Sequence, residues 1–215
     1  MKALRYGYGI KMNLLLGGLF LVLGAAMAVL NAMDPNGNYL LANFMIMCVG
    51  LLPGQVLNSL MASNLVQASP KNRRLQTAAP AALTWGIMTF LYLLSALVRG
   101  IVVLRHPEKT AAMCTELVTL GVFMVAIMLY MGIAFKYFVI PLFFFFLFFL
   151  FSYQWIQILL VCLEWGTGIL RLVLAAAAGL ACIAAGGYGQ YLVSLAVYRA
   201  PASKLAQPAP LRKML

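Results

Sequence analysis

Residues whose types could support catalysis are scarce in this chain, and their spacing forms no known catalytic motif. The single histidine is His106, and no CxxC pair occurs among the four cysteines, which are Cys48, Cys114, Cys162 and Cys182. A zinc site or a nucleophile–histidine pair is therefore not expected, and the cysteines are interpreted as apolar packing residues. The chain also lacks GxSxG, HExxH and GxxxxGK[ST] motifs. We expect no catalytic residue, metal site or cofactor in this chain.

The strongest polar feature away from the termini is the segment Ser69–Thr77, with the sequence Ser-Pro-Lys-Asn-Arg-Arg-Leu-Gln-Thr. Serine before proline is typical of a helix start, because Ser69 can cap free N–H groups and Pro70 suits the first helical position. The sequence predicts a short helix here. It is either a solvated basic surface segment or a docking element for a second protein.

The composition predicts the kind of fold that must position these residues. Hydrophobic residues make up 65% of the chain, charged residues 9%, and the mean hydropathy is +0.98. Soluble domains have about 45–50% apolar and about 25% charged residues. We expect an all-α integral membrane protein, with residues 1–215 forming one transmembrane domain and no appended soluble domain.

Apolar runs of about 20 residues, the length that crosses a bilayer as a helix, predict six transmembrane spans. Their expected bounds are 12–33, 39–63, 80–104, 112–135, 137–163 and 170–198, followed by a cytoplasmic tail over 199–215. The first span is longer than the apolar part of a signal peptide and has no small-residue cleavage site after it, so we expect it to be retained.

The basic residues predict the orientation of these spans. With cytoplasmic termini, eleven of the fifteen lie inside, namely Lys2, Arg5, Lys11, Lys71, Arg73, Arg74, Lys136, Arg199, Lys204, Arg212 and Lys213. Four lie outside, as do all four acids. The positive-inside rule favours this orientation. The net charge of +11 is therefore interpreted as a topology signal, and no nucleic-acid partner is expected.

With these features, the chain resembles the permease subunits of type-2 ABC exporters, the compact six-helix kind that exports drugs, polysaccharides and peptides. The resemblance covers essentially the whole chain and includes a short joint around Cys162–Gly168. The small size and the run Ala68–Thr77 look like the permeases that export phenol-soluble modulins and similar amphipathic peptide toxins.

The resemblance implies a dimer, of two copies or of this chain and a paralogue, in a bacterial plasma membrane. Separate ABC ATPase subunits would bind ATP and Mg²⁺. A cytoplasmic coupling helix between spans two and three would contain Ser69, Pro70, Lys71, Asn72, Arg73, Arg74 and Leu75. Its basic residues would meet acidic groups on the ATPase or anionic membrane lipids. An amphipathic peptide is the substrate class that the resemblance favours.

Two features inside the spans are candidates for moving parts. A phenylalanine-rich run in span five either faces lipid or contributes an apolar gate, for which the candidates are Phe148, Phe149 and Phe151. In span two, Pro53 and Gly54 predict a kink, as a hinge or as a fixed bend.

Charges near the outer ends of the spans form a further candidate site. Arg99, Glu116, Glu164 and Arg171 either extend to the interface or pair as an outer charged gate. In span six, small residues recur at every fourth position, at Ala177, Ala181, Ala185 and Gly189. This spacing predicts close helix packing, within the chain or at a dimer interface.

Other functions fit a six-helix membrane protein of this size. The chain could be the substrate-binding subunit of an energy-coupling vitamin importer, an ABC permease for lipids or drugs, or a membrane assembly factor. The importer would require a polar ligand cavity, whereas the polar residues are expected in the joints between spans.

Overall fold

The computed structural model describes residues 15–27, 29–30, 45–46, 48–49, 70–134, 136–137, 143, 147–148 and 168–200. All regular secondary structure within these residues is helical. Three stretches are long and apolar enough to cross a membrane, Asn72–Arg105, Pro107–Ala134 and Gly168–Tyr198. The described part of the chain is therefore an all-helical membrane protein.

The helices are α1 (Leu15–Met27), α2 (Asn72–Gln76), α3 (Ala78–Arg105), α4 (Thr110–Ala134) and α5 (Gly168–Tyr198), with a 3₁₀ turn at Pro107–Lys109 between α3 and α4. The bounds of α3, α4 and α5 lie within two residues of the spans predicted over 80–104, 112–135 and 170–198. Of the predicted span 12–33, the structure describes α1 and two further residues. The predicted spans 39–63 and 137–163 lie almost wholly outside the described residues.

Cross-helix contacts fix the directions of the three long helices. Tyr92 of α3 contacts Gly179 of α5, and Trp85 contacts Gly187. Residue numbers along α5 therefore increase in the direction in which those along α3 decrease. These two helices are antiparallel. Gly121 of α4 contacts Gly179, and further along α4 Gly132 contacts Gln190, so α4 and α5 run in the same direction.

Helix α4 lies at the centre of the described bundle. Most of its apolar window is buried, 72% against 39% for the stretch containing α3 and 22% for α5. Met113, Leu117, Leu120, Met124, Ile127 and Met128 of α4 have no exposed surface. They pack with Met88, Tyr92 and Ile183 in the main apolar core. Helices α3 and α5 therefore pack against α4, which is buried on most of its sides.

Glycines allow the helices to approach closely. A Cβ on Gly121 would lie 3.3 Å from the Gly179 Cα, and a Cβ on Gly179 would overlap the Tyr92 side chain. The buried stripe of α5 contains Ala175, Gly179, Ile183, Gly186, Gly187, Gln190 and Ser194. The predicted stripe differs from it, since Ala177, Ala181 and Ala185 are exposed. Those three alanines therefore do not form the stripe that packs against α3 and α4, whereas Gly189 of the predicted stripe lies beside Leu129 of α4.

Replacing Gly179 should test this packing. Gly179→Ala should lower the stability of the folded chain by about 1–3 kcal/mol, the usual cost of overpacking, because its methyl group would overlap Tyr92. Gly86→Ala is the matched control, since no atom lies within 4 Å of the position of its added methyl group. Thermal unfolding in mild detergent measures both variants. Equal unfolding temperatures for the two variants would contradict the close approach.

Candidate functional site

The helix directions separate the charges into two ends of the bundle. The start of α3 and the ends of α4 and α5 meet at one end, here called the basic end, with Lys71, Arg73, Arg74, Lys136 and Arg199. No acidic residue lies there among the described residues. The opposite, mixed-charge end has Arg105, His106, Glu108, Lys109, Glu116 and Arg171. This separation makes the basic end the candidate site for an acidic partner.

Helix α2 forms one side of the basic end. It begins at Asn72, with Lys71 as the N-cap residue and no side-chain cap. Pro70 lies in the turn before it, so the expectation that Pro70 occupies the first helical position is wrong. Ser69 is outside the described residues. The predicted short helix is thus present, and it starts two residues after Pro70.

A break at Thr77 separates α2 from α3. Pro80 has no N–H to donate to the carbonyl of Gln76, and its ring crowds that carbonyl, so the helix cannot continue regularly. Thr77 has φ −122° and ψ −72°. Its hydroxyl donates to the Arg73 carbonyl at 2.7 Å, which closes the end of α2. Proline in the first turn of α3 therefore explains why α2 is a separate short helix.

Helix α2 has a buried side and an exposed side. Gln76 and Thr77 are buried, with 6% and 2% of their surface exposed. Arg73, Arg74 and Leu75 are exposed. Leu75 directly follows the two arginines, so the exposed side of α2 combines two charges with one apolar side chain.

Lys136 links the ends of α4 and α5. Its ammonium group donates to the carbonyls of Tyr198 and Ala200 and lies 5.6 Å from the centre of the Tyr198 ring. A cation is favourable at a helix C-terminus, where carbonyls lack intrahelical partners. Burial lowers the pKa of Lys136. The lysine therefore fixes the end of α5 and the position of Arg199.

Two clefts open beside α2. The larger, of about 490 Å³, is lined by Arg73, Tyr198 and Arg199 together with Leu192, Leu195 and Ala196. The smaller, of about 380 Å³, lies between the start of α2 and Tyr191 of α5 and includes Lys71, Arg73 and Arg74. Arg73 lines both clefts. Of the predicted coupling residues, Pro70, Lys71, Arg73 and Arg74 therefore lie at a concave surface shared with α5.

The candidate outer charged gate lies at the other end of the bundle. Arg99 is buried, with 4% of its surface exposed, and its Nη1 donates to the Ser95 carbonyl at 3.2 Å. Arg99 lies six residues before the end of α3, and Glu116 lies six residues after the start of α4. Both are therefore at a similar depth. Arg171 is partly exposed near the start of α5, and Glu164 is outside the described residues.

Buried polar side chains inside the helices were missed by the sequence reasoning, which placed polar groups in the joints. Gln190 Nε2 of α5 contacts the Thr84 hydroxyl of α3 at 3.4 Å. Ser194 of α5 donates to the Gly132 carbonyl of α4 at 3.3 Å. A glutamine in an otherwise apolar span was the signal that could have indicated such a contact, because polar side chains often hydrogen-bond across membrane helices.

Other candidate residues are only partly covered by the structure. Phe148 is 40% exposed. Phe149 and Phe151, and the candidate kink at Pro53 and Gly54, are outside the described residues. The basic end is therefore the candidate site with the most complete geometry.

Comparison with known proteins finds no matching family model, and neither a curated protein nor a solved structure is significantly similar to the chain. A functional proposal therefore depends on the residues and geometry of this chain.

Cysteine labelling tests which side of the membrane holds the basic end. In a variant without the native cysteines, Arg74→Cys and Glu108→Cys place single exposed thiols at opposite ends. The excess of basic residues predicts that a membrane-impermeant maleimide labels position 74 only from the cytoplasm and position 108 only from outside. Labelling in the reverse pattern would contradict the predicted orientation.

Proposed function

We propose that this chain is the membrane-spanning permease subunit of an ATP-driven exporter of the ABC class. It works as a dimer, of two copies or of this chain with a paralogue, in a bacterial plasma membrane with cytoplasmic termini. Separate ATPase subunits bind and hydrolyse ATP with Mg²⁺. The substrates are hydrophobic or amphipathic molecules, with amphipathic peptides as the favoured class.

The observation that carries this proposal is the geometry of α2 at the basic end. A short helix with exposed Arg73, Arg74 and Leu75 directly precedes a helix long enough to cross the membrane. A separate ATPase chain would dock on an exposed surface element of this kind. Opposite charges across the contact would set its orientation and association rate.

The packing of α2 supports a mechanical role. Its end is anchored by buried Gln76 and by Thr77, which joins it to α3. Helix α2 also contacts α5, and α3 packs against both α4 and α5. A force applied to α2 would therefore reach the start of α3 and the end of α5 together. Packed helices transmit such displacements because close-packed interiors deform little.

The directions of α4 and α5 support the six-span arrangement. Helix α4 ends at the basic end, and α5, which runs in the same direction, starts at the opposite end. The chain must therefore return to that end between Ala134 and Gly168. A span over 137–163, as predicted from the sequence, would provide this return.

Among the described residues, two buried polar contacts join helices instead of lining a ligand cavity, and this supports the exporter over a vitamin-binding importer subunit. Thr84 contacts Gln190, and Ser194 contacts the Gly132 carbonyl, so these groups join helices. Both clefts reported above lie at the basic end. An importer subunit would instead require a polar ligand cavity, whose lining would need polar groups facing a ligand rather than a neighbouring helix.

Affinity purification tests the proposed function. The tagged chain, purified in mild detergent from its native host, should retain a stoichiometric ABC ATPase whose ATP hydrolysis rises with an added amphipathic peptide. Combined replacement of Lys71, Arg73 and Arg74 by Ala should reduce ATPase retention on the order of tenfold or uncouple hydrolysis from transport, because it removes the charges of the docking surface.

Two further variants sharpen this test. Leu75→Asp should reduce ATPase retention without removing a basic residue, since it places a carboxylate on the exposed apolar position. Arg105→Ala is the matched control, because it removes an exposed cation at the opposite end. Purification without any ATPase, or unchanged transport by the triple variant, would refute the proposed role of α2.

A further inference from the structure

The larger cleft at the basic end changes from apolar to basic along one face of α5. Leu192, Leu195 and Ala196 follow the spacing i, i+3 and i+4, which places them on a single helix face, and Arg199 follows in the turn after α5. All four line the cleft. Leu192 and Ala196 are exposed. Towards the membrane interior the cleft is thus apolar, and at the end of α5 it is basic.

The basic part of the cleft has two arginines from different elements. Arg73 comes from α2 and Arg199 from the turn that follows α5, and Tyr198 lies between the apolar and basic parts. Arginine presents a planar fork of N–H donors that suits phosphate oxygens. Two such groups, held on separate elements around one cleft, can bind a single phosphate from two sides.

The charge surrounding this cleft favours an anion. The chain has four acidic residues. Glu108 and Glu116 lie at the opposite end of the bundle, and Asp34 and Glu164 are outside the described residues. The described residues that line this cleft therefore include basic side chains and no acidic one.

Lys136 holds the basic part of the cleft in place. It donates to the carbonyls of Tyr198 and Ala200, the residues on either side of Arg199. These contacts fix the backbone from which Arg199 extends, so the second arginine does not depend on a ligand for its backbone position.

We propose that this cleft is a binding site for an anionic phospholipid, with the phosphate between Arg73 and Arg199 and an acyl chain along Leu195 and Leu192. Basic pockets between membrane helices bind anionic headgroups in this way. The apolar continuation of the cleft identifies a lipid as the occupant, because a free phosphate would use only the basic part. The site requires no ATPase, but it shares Arg73 with the proposed docking surface, so Arg199 and Ala196 are the positions that separate the two proposals.

Native mass spectrometry of the purified full chain in mild detergent tests the site. Phosphatidylglycerol should bind more tightly than phosphatidylcholine with the same acyl chains, with one high-affinity lipid per chain. Arg199→Gln and Arg73→Gln should each weaken phosphatidylglycerol binding about fivefold, the expected contribution of one basic residue near the membrane surface. Arg105→Gln, the matched control at the opposite end, should leave the binding unchanged.

A second variant tests the apolar part of the cleft without changing its charge. Ala196→Trp should fill the path of the acyl chain and weaken phosphatidylglycerol binding at least as strongly as Arg199→Gln. Because Ala196 is exposed, the larger side chain should leave the fold intact. Glycerol phosphate, the soluble headgroup, should compete only weakly with the lipid, since it lacks acyl chains.

Several outcomes would overturn the inference. They are equal binding of the two lipids, equal effects of Arg199→Gln and Arg105→Gln, unchanged binding by Ala196→Trp, and competition by glycerol phosphate as strong as that by the lipid. The first two would indicate nonspecific attraction, and the last two would indicate a phosphate site without a lipid. Neither Arg199 nor Ala196 belongs to the proposed ATPase-docking segment, so these results remain distinguishable from failure of the proposed function.

Discussion

The close approach of α4 and α5 at glycines is the constraint on which the rest of the described structure depends. Gly121 meets Gly179, and Gly132 meets the Gln190 backbone, in one continuous register. Between membrane helices no hydrophobic driving force exists, so close van der Waals packing and interhelical hydrogen bonds must hold them together. The same register brings Lys136 to the end of α5, where it donates to the Tyr198 carbonyl. The geometry of the basic end thus follows from packing deep in the bundle.

Helix positions along the chain could be predicted from the sequence, whereas helix rotations could not. The thickness of the bilayer sets the length of an apolar span, and α3, α4 and α5 end within two residues of the predicted bounds. Rotation is different, because a span that is apolar all round has no polar face to turn away from its neighbours. The sequence alone therefore could not decide which face of α5 packs against its neighbours. The candidates were the face with Ala177, Ala181 and Ala185 and the face with Gly179 and Ile183.

The basic end, too, could be predicted from the sequence only in part. Lys71, Arg73 and Arg74 are close in sequence, so their grouping at one membrane surface follows from the positive-inside rule. Lys136 and Arg199 join them only through the packing of α4 against α5, a long-range contact that spacing cannot indicate. Gln190 is similar, since its partner Thr84 lies on a helix far away in sequence. Local chemistry was predictable from the sequence, and the clefts built between helices were not.

The two proposals for the basic end share Arg73, whereas Leu75 belongs to the docking surface alone. Leu75 lines neither cleft, whereas Arg73 lines both. A helix of five residues is not stable on its own, so the position of α2 depends on its packing at the buried Gln76 and Thr77. A phosphate between Arg73 and Arg199 would tie α2 to the end of α5. If an ATPase docks at Leu75, as proposed, a lipid in the cleft would make the start of α3 and the end of α5 move together.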